Sequence, residues 1–451
     1  MPQAQNSANL ANTIGSISQG SDTLPTEKDV NFYDYDGTLL YSYTAAEAAE
    51  LSALPTLPSH NGLICQCWNH TIQDVRTYSN RLNVGCNYVT SDGATRLYIS
   101  ACSKTPIPEF PIILAVTEHS SATIDWGDGT VDTVTNTDHI AQSISTYHTF
   151  PVVDSDTVFC IRISGNYEFY QGSSNIFGDR VIPLTKVEIG SGVTAIKSYT
   201  FRNCYNLKTI TLSAGLTTMG NYTFENCYNL RSASIPDGVT NPGGHTFRKC
   251  YSLRSIIMPA SVTTIGAYAF SGCASLSSVV IPYNVSVIGT RAFETCTSLT
   301  SVIIPTYLGS IQTMFIGCTS LSSVVIMPNG LATLGGDTFS TCTALMSVVI
   351  PDGVSSVGAA FYNCISLYSV IIPDSVTVIG GSVVDGCTNL RIIDLSGYTG
   401  TPLPTLGGIL GNNLPNDFVI LVASEAKKTE LSAMTNWSAY ASQIQVKGAS
   451  L

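Results

Sequence analysis

Residues 269–289 read AFSGCASLSSVVIPYNVSVIG. Phe270 stands three residues before Cys273, and Leu276 three residues after it. A β-branched run then stops at Pro282, and a second apolar pair closes on Gly289. The same spacing returns along half the chain. Cys204, Cys227, Cys250, Cys273, Cys296, Cys318, Cys342, Cys364 and Cys387 follow one another at intervals of 23, 23, 23, 23, 22, 24, 22 and 23 residues. A Phe lies three residues before eight of them (Phe201, Phe224, Phe247, Phe270, Phe293, Phe315, Phe339, Phe361), with Val384 in the ninth unit. A Leu lies three residues after all nine, from Leu207 to Leu390.

A fixed period of this length means one supersecondary unit per repeat, unable to bury its apolar side alone. Strand, turn, apolar arch and return must stack on their neighbours at roughly 4.8 Å to make a core. A preceding strand with Leu184, Val187 and Ile189 extends the expected ladder to ten strands, about 45–50 Å long. The cysteines then fill one interior column. Nine metal ligands or redox thiols would be the functional reading. No CxxC occurs in the repeats and no His accompanies the column, so small buried hydrophobes are expected.

Units of this form resemble the BspA-type leucine-rich repeat, found in bacterial surface proteins and phage tail-associated proteins. The resemblance covers about residues 184–396. The segment FVILVASEAKKTELSAMTNWSAYASQI, within 397–451, is similar to the closing segment of that family, a last strand and a helix with an aromatic plug. An apolar solenoid end needs a cap, and Trp437 and Tyr440 supply its bulk.

The front half reads differently. Residues 1–28 are small and polar, an arm or linker. NFYDYDGTLLYSYT alternates around a DG turn and predicts a β-hairpin. TAAE at Thr44 predicts a capping box and a helix to about Leu54. A second helix is expected after Asn69, and NVGCNYVTSDGATRLYIS predicts another hairpin, closing a small α+β module at 29–100. Residues 101–183 are strand-rich; ATIDWGDGT, then YHTF, then VFCIRIS resemble a polycystic-kidney-disease (PKD) type β-sandwich. Asp125 and Asp128 there are candidates for calcium or, as expected, for turn stabilisation. Fold class is therefore mainly β: a leucine-rich-repeat solenoid preceded by a PKD-like β-sandwich and a small α+β module.

No catalytic constellation emerges. Asp34 and Asp36 have the DxDGT spacing of haloacid-dehalogenase phosphatases. The short strand before them and the lack of strand–helix alternation after them favour a hairpin turn. The six histidines are scattered, and no GxSxG, phosphate loop or HExxH appears. No enzyme activity, cofactor or metal is expected. Net charge is −11, from 20 Lys+Arg and 31 Asp+Glu, which disfavours nucleic acid or anionic membranes as partners. No apolar run approaches the roughly 18 residues of a membrane span. Only 11% of residues are charged, against roughly 25% on average, so Ser, Thr, Asn, Tyr and Gly must build the surface.

Two surface features are candidate ligand-binding sites. In the leucine-rich pattern, the fifth strand position points outward. It reads Ile257, Val280, Ile303, Val325, Val349 and Ile371 over six consecutive coils, beside a column of Ser from Ser232 to Ser369. This apolar stripe is either a contact surface or the ordinary β-branched preference of strands. In the first repeats Tyr205, Tyr228 and Tyr251 form one column, and Tyr199 and Tyr222, with Tyr268 beyond His245, a second. These suit glycan or protein recognition, or outer-surface packing. Arg202, Glu225 and Arg248 alternate in sign, as a charge ladder would. With no secretion signal or anchor evident, the expectation is a phage virion component exposed by lysis. Its solenoid would recognise a host-surface glycan or protein, its front modules would bind other virion proteins, and a trimer is possible. A bacterial cell-surface adhesin is the alternative.

Overall fold

The computed structural model describes residues 30–33, 39–57, 63–68, 82–90, 92–101, 107, 109–138, 142–153, 155–169, 174–178, 182–305, 308–326, 331–399 and 402–448. The predicted arm, the Asp34/Asp36 pair and the expected helix after Asn69 lie outside them.

The first hairpin forms as its sequence predicts: β1 (Val30–Tyr33) pairs antiparallel with β2 (Leu39–Tyr43). Thr44 caps a helix at Ala45–Ala49 and exchanges capping-box bonds with Glu47. That helix stops five residues short of Leu54. Ala48 is its sole buried residue, so it lacks the apolar face that would sustain further turns. β3 (Leu63–Trp68) and β4 (Leu82–Thr90) complete a sheet in the order β2-β1-β4-β3.

The second predicted hairpin does not form. β5 (Thr95–Ala101) leaves β4 and enters another sheet, between Thr157–Gly165 and Leu184–Glu188. The turn explains this. Gly93 is left-handed (φ 72°), and Asp92 caps the Ala94 N–H at 3.1 Å. Asp92 also holds Arg96 and Arg162 at 2.9 and 2.8 Å. These bonds aim the alternating Leu97, Ile99 and Ala101 into the next core.

That core lies between two sheets. One runs β8 (Val131–Asn136), β7 (Ser120–Asp125), β10 (Thr157–Gly165), β5, β12 (Leu184–Glu188) and the strand Thr209–Thr211. The other is β11 (Tyr167–Phe169), β6 (Phe110–Val116) and β9 (Gln142–His148). β12 is thus shared: antiparallel to β5 and parallel to the first repeat strand. One continuous buried cluster runs from Leu97 to Ile444, so the sandwich is the lid of the solenoid's first coil. Phe169 meets the Phe201 ring edge-on at 5.4 Å, and the Ile176 and Asn175 N–H groups donate to the Thr200 and Arg202 carbonyls.

From Phe201 to Phe361 the eight phenylalanines stack face to face, centroids 5.3–5.9 Å apart and planes within 12°. All eight are fully buried. Beside them each thiol from Cys227 to Cys387 donates to a Phe carbonyl of the preceding coil at 3.1–3.3 Å. Close coil-to-coil approach requires glycine: a Cβ on Gly289 would lie 2.3 Å from the Ala267 nitrogen.

The parallel ladder is not continuous. Strand pairing breaks at Val279–Ile281, where only the Ser278–Ser301 bridge remains, beside a cavity of about 30 Å³. The ladder on the opposite side breaks between Thr218–Met219 and Thr264–Ile265. There Pro242 occupies the place of Met219 and Ile265 and offers no N–H. At the far end, buried Trp437 donates to the Pro404 carbonyl at 2.8 Å, and the Tyr440 hydroxyl accepts from the Leu410 N–H at 2.8 Å. A helix at Glu425–Ala433 and strands Val419–Val422 and Ile444–Val446 close that end.

Candidate binding surface

The outer strand face divides in two. β4 packs against the strands Ser232–Ser234 and Ser255–Ile257. Ser232, Ser255 and Ile257 are buried there, Ile257 to 3% exposure, and Ser278 on the next coil is buried too. The predicted exposed stripe is therefore corrected at its start: the chain's own front module occupies it, because an apolar strip on a flat strand face is the surface on which a small sheet can bury itself. Val280 and Ile303 are half-buried. The Val325 side chain lies outside the described residues. Val349 and Ile371 stand free at 59% and 42% exposure and are register partners on adjacent strands. Met346 and Tyr368, one position before those strands, are equally open and are tied by the Tyr368 N–H donating to the Met346 carbonyl at 2.7 Å. Together they form a patch on two adjacent coils.

The tyrosine columns are stacks. Tyr199 and Tyr222 lie 4.8 Å apart with planes 4° from parallel, and His245 and Tyr268 continue the column at 4.5 and 4.8 Å. All four have left-handed backbones (φ 55–66°), a strained state that the ring stack and coil-to-coil bonds hold in place. Burial and the nearby Arg248 push the His245 pKa down, so its imidazole is neutral between the two rings. Tyr205, Tyr228 and Tyr251 stack at 4.9 and 5.0 Å. Ring faces inside both columns are covered by neighbouring rings, so a ligand there meets edges and hydroxyls, while the end rings keep an outer face that no described ring covers, Tyr251 being 44% exposed.

The charge ladder forms as its signs predict: Arg202 and Arg248 donate to the two Glu225 carboxylate oxygens at 2.9 and 3.1 Å. Guanidinium groups of the same arginines lie over Tyr199 and Tyr268. A further column escaped the sequence reading. The residue after each column Leu is Lys208, Arg231 and Arg254 in three successive coils, later Met346 and Tyr368. Tabulating the position after Leu at the period of the cysteines would have exposed it. The three cations border a cleft of about 180 Å³ with Asn229, Ser252 and Ser275.

The turn acids of the sandwich are occupied. Asp125 accepts from the Gly127 N–H at 3.0 Å, and Asp128 accepts from the Thr130 N–H and shares a 2.8 Å hydrogen bond with His148. His148 stacks on Trp126 at 4.3 Å, and the Trp126 indole donates to Asp132. Among the described residues, no group of three or more His, Cys, Asp or Glu side chains could hold a metal. Burial pushes every column thiol up, Cys387 to about 12 and Cys227, Cys273 and Cys318 well beyond the ordinary value. These thiols stay protonated and inert. No described helix is long and apolar enough to cross a membrane.

No curated protein is similar to the chain in sequence. Similar solved structures include a leucine-rich repeat protein from Bacteroides ovatus ATCC 8483 (25% identity, 56% of this chain and 76% of that one, TM-score 0.39). Another is a leucine rich cell surface protein from Faecalibacterium prausnitzii A2-165 (25% identity, 51% and 83%, TM-score 0.29). A third is the T. pallidum leucine rich repeat protein (28% identity, 40% and 82%, TM-score 0.35). Residues 173–300 and 263–391 match the family model described as BspA type leucine rich repeat region, in six copies. The stacked Phe, Cys and Leu columns and this match agree: the second half of the chain is a solenoid of leucine-rich repeats similar to the BspA type.

Proposed function

We propose that this chain is a non-enzymatic binding protein that contacts a cell surface through the open half of its solenoid strand face. The observation that carries the reading is the division of that face. The front module covers its first coils, while Met346, Val349, Tyr368 and Ile371 remain exposed on the same sheet side. A contiguous apolar patch on a rigid, sparsely charged scaffold is the form of a contact site.

The setting that we favour is a phage virion, with the front module as the attachment to other virion proteins and the PKD-like sandwich as the rigid lid that joins it to the solenoid. Free thiols at Cys160 and at the nine column cysteines suit synthesis in a reducing cytosol before release. A bacterial surface adhesin would present the same solenoid; immunogold label on phage tails, rather than on the cell envelope, separates the two.

Binding of fluorescently labelled full-length protein to intact bacteria tests the function. The full chain is needed because removing residues 1–183 would bare the Phe201 end of the stack. Strain-selective binding that falls in the Val349→Asp/Ile371→Asp double variant is the expected result. Undiminished binding by that variant refutes the assigned surface, and binding to no strain refutes the function. A change in oligomeric state with no change in cell binding would make the patch a homo-oligomer contact instead.

A further inference from the structure

We propose that the cleft lined by Lys208, Arg231 and Arg254 is a binding site for an acidic polysaccharide, a glycan carrying carboxylate or sulfate groups at successive positions. The inference rests on the cell-surface reading above and adds a second site and a ligand class to it.

Charge placement along the solenoid carries this. Each coil offers equivalent outer positions, so charges at one position form a ladder with the coil spacing. Along Arg202, Glu225 and Arg248 the sign alternates and the ladder neutralises itself. Along Lys208, Arg231 and Arg254 it does not. The backbone bonds from the Arg231 N–H to the Lys208 carbonyl (3.1 Å) and from the Arg254 N–H to the Arg231 carbonyl (2.8 Å) fix the three in direct succession. The tyrosines three residues before them stack at 4.9 and 5.0 Å, so the coils that carry the cations are immediate neighbours. All three side chains are exposed, and among the described residues none has an ion-pair partner. In a chain of net charge −11 with only 20 Lys+Arg, three unneutralised like charges on adjacent coils repel one another. An external anion with a matching repeat relieves that repulsion.

The lining specifies the chemistry further. Ser252 and Ser275 contribute hydroxyls, and Asn229 has a free carbonyl oxygen, since its amide nitrogen donates to Tyr205 at 2.9 Å. Neutral donors and acceptors interleaved with cations match a polymer that alternates hydroxyls with acids. Two of the cations are arginines, suited to bidentate contact with planar carboxylates. Tyr205, Tyr228 and Tyr251 stand three residues before the three cations in their coils. The cleft holds about 180 Å³ and its lining comes from four successive coils, a shape for an extended chain.

The test is titration of the full-length protein with polygalacturonate, dextran sulfate, neutral dextran and duplex DNA at low and high salt. The site predicts saturable binding of at least one acidic glycan and none of neutral dextran. In the Lys208→Gln/Arg231→Gln/Arg254→Gln variant affinity should fall about tenfold, from three exposed charge-assisted contacts. A Lys427→Gln/Lys428→Gln variant, on the far helix, should bind as wild type. Unchanged affinity in the triple variant, or duplex DNA bound as tightly as the glycans, overturns the proposal. The two readings fail separately. Glycan binding without cell binding removes the cell-surface function and leaves the site. Cell binding by wild type and triple variant alike, without glycan binding, removes the site alone.

Discussion

Truncation of Phe270 to alanine tests the interior assignment on which the solenoid depends. Phe270 is fully buried, with Phe247 and Phe293 stacked on its two faces at 5.6 and 5.3 Å. Removing a buried ring of this size costs about 3–5 kcal/mol, and the column places the loss in the upper half of that range. Collapse cannot fill the gap. The Phe247 N–H donates to the Ala269 carbonyl and the Phe270 N–H to the Ala292 carbonyl, both at 2.8 Å, so the coil spacing is locked on both sides. Two ring–ring contacts, each about 0.5–1.5 kcal/mol, are also lost. The assay is urea unfolding of the full-length variant followed by circular dichroism, with hydrogen exchange to locate the opening. Repeat arrays can unfold in parts, so exchange protection should fall first in the coils beside residue 270. Val349→Asp, on the open face, is the control and should stay within about 0.5 kcal/mol of wild type. Near-neutral stability for Phe270→Ala, or equal losses for both variants, would refute the inside/outside assignment.

Other expectations follow from the same geometry. Gly289→Ala places a Cβ against the Ala267 backbone and should cost about 1–3 kcal/mol in thermal unfolding, as overpacking does. Trp437→Phe leaves the Pro404 carbonyl without its donor and should destabilise the C-terminal cap by about 1–3 kcal/mol, visible as earlier exchange at Val419–Val422. The thiol column gives a pH dependence of defined sign. Burial raises the thiol pKa values, so protonation is favoured in the folded state and the associated stability is complete below the ordinary value of 9.0. For Cys387 it is lost as pH rises from 9.0 to about 12. Denaturation midpoints should hold near neutral pH and fall steeply above pH 9. A thiol reagent at pH 8 should leave the nine column thiols unmodified until the protein unfolds; rapid native-state labelling of Cys273 would contradict its burial.

The sequence by itself determined the repeat and everything that the repeat dictates. A 23-residue period with Phe, Cys and Leu three residues apart has one physical solution, a stack of coils in which like residues meet like, and the eight-ring Phe column follows from it. Capping was also legible locally. Trp437 and Tyr440 plug the last coil, Thr44 and Glu47 form their box, and the Asp125 and Asp128 turns close on their own backbone. Each depends on residues close in sequence or on position in the repeat.

Non-local contacts were decided by tertiary structure. The DG turn at residues 92–93 looks like any hairpin turn. Asp92 instead pairs with Arg96 and with Arg162, 70 residues away, and sends β5 beside β12, fusing sandwich and solenoid into one core. Periodicity marked Ile257 as outward-facing, and it is; that β4 packs against its strand depends on a contact between residues about 170 positions apart, which no local pattern encodes. The ring faces of the tyrosine columns were likewise assigned by three-dimensional stacking, since one-letter spacing says which residues are neighbours and not which surfaces they use on each other. A period fixes what repeats; what covers a repeated surface is set by parts of the chain outside the period.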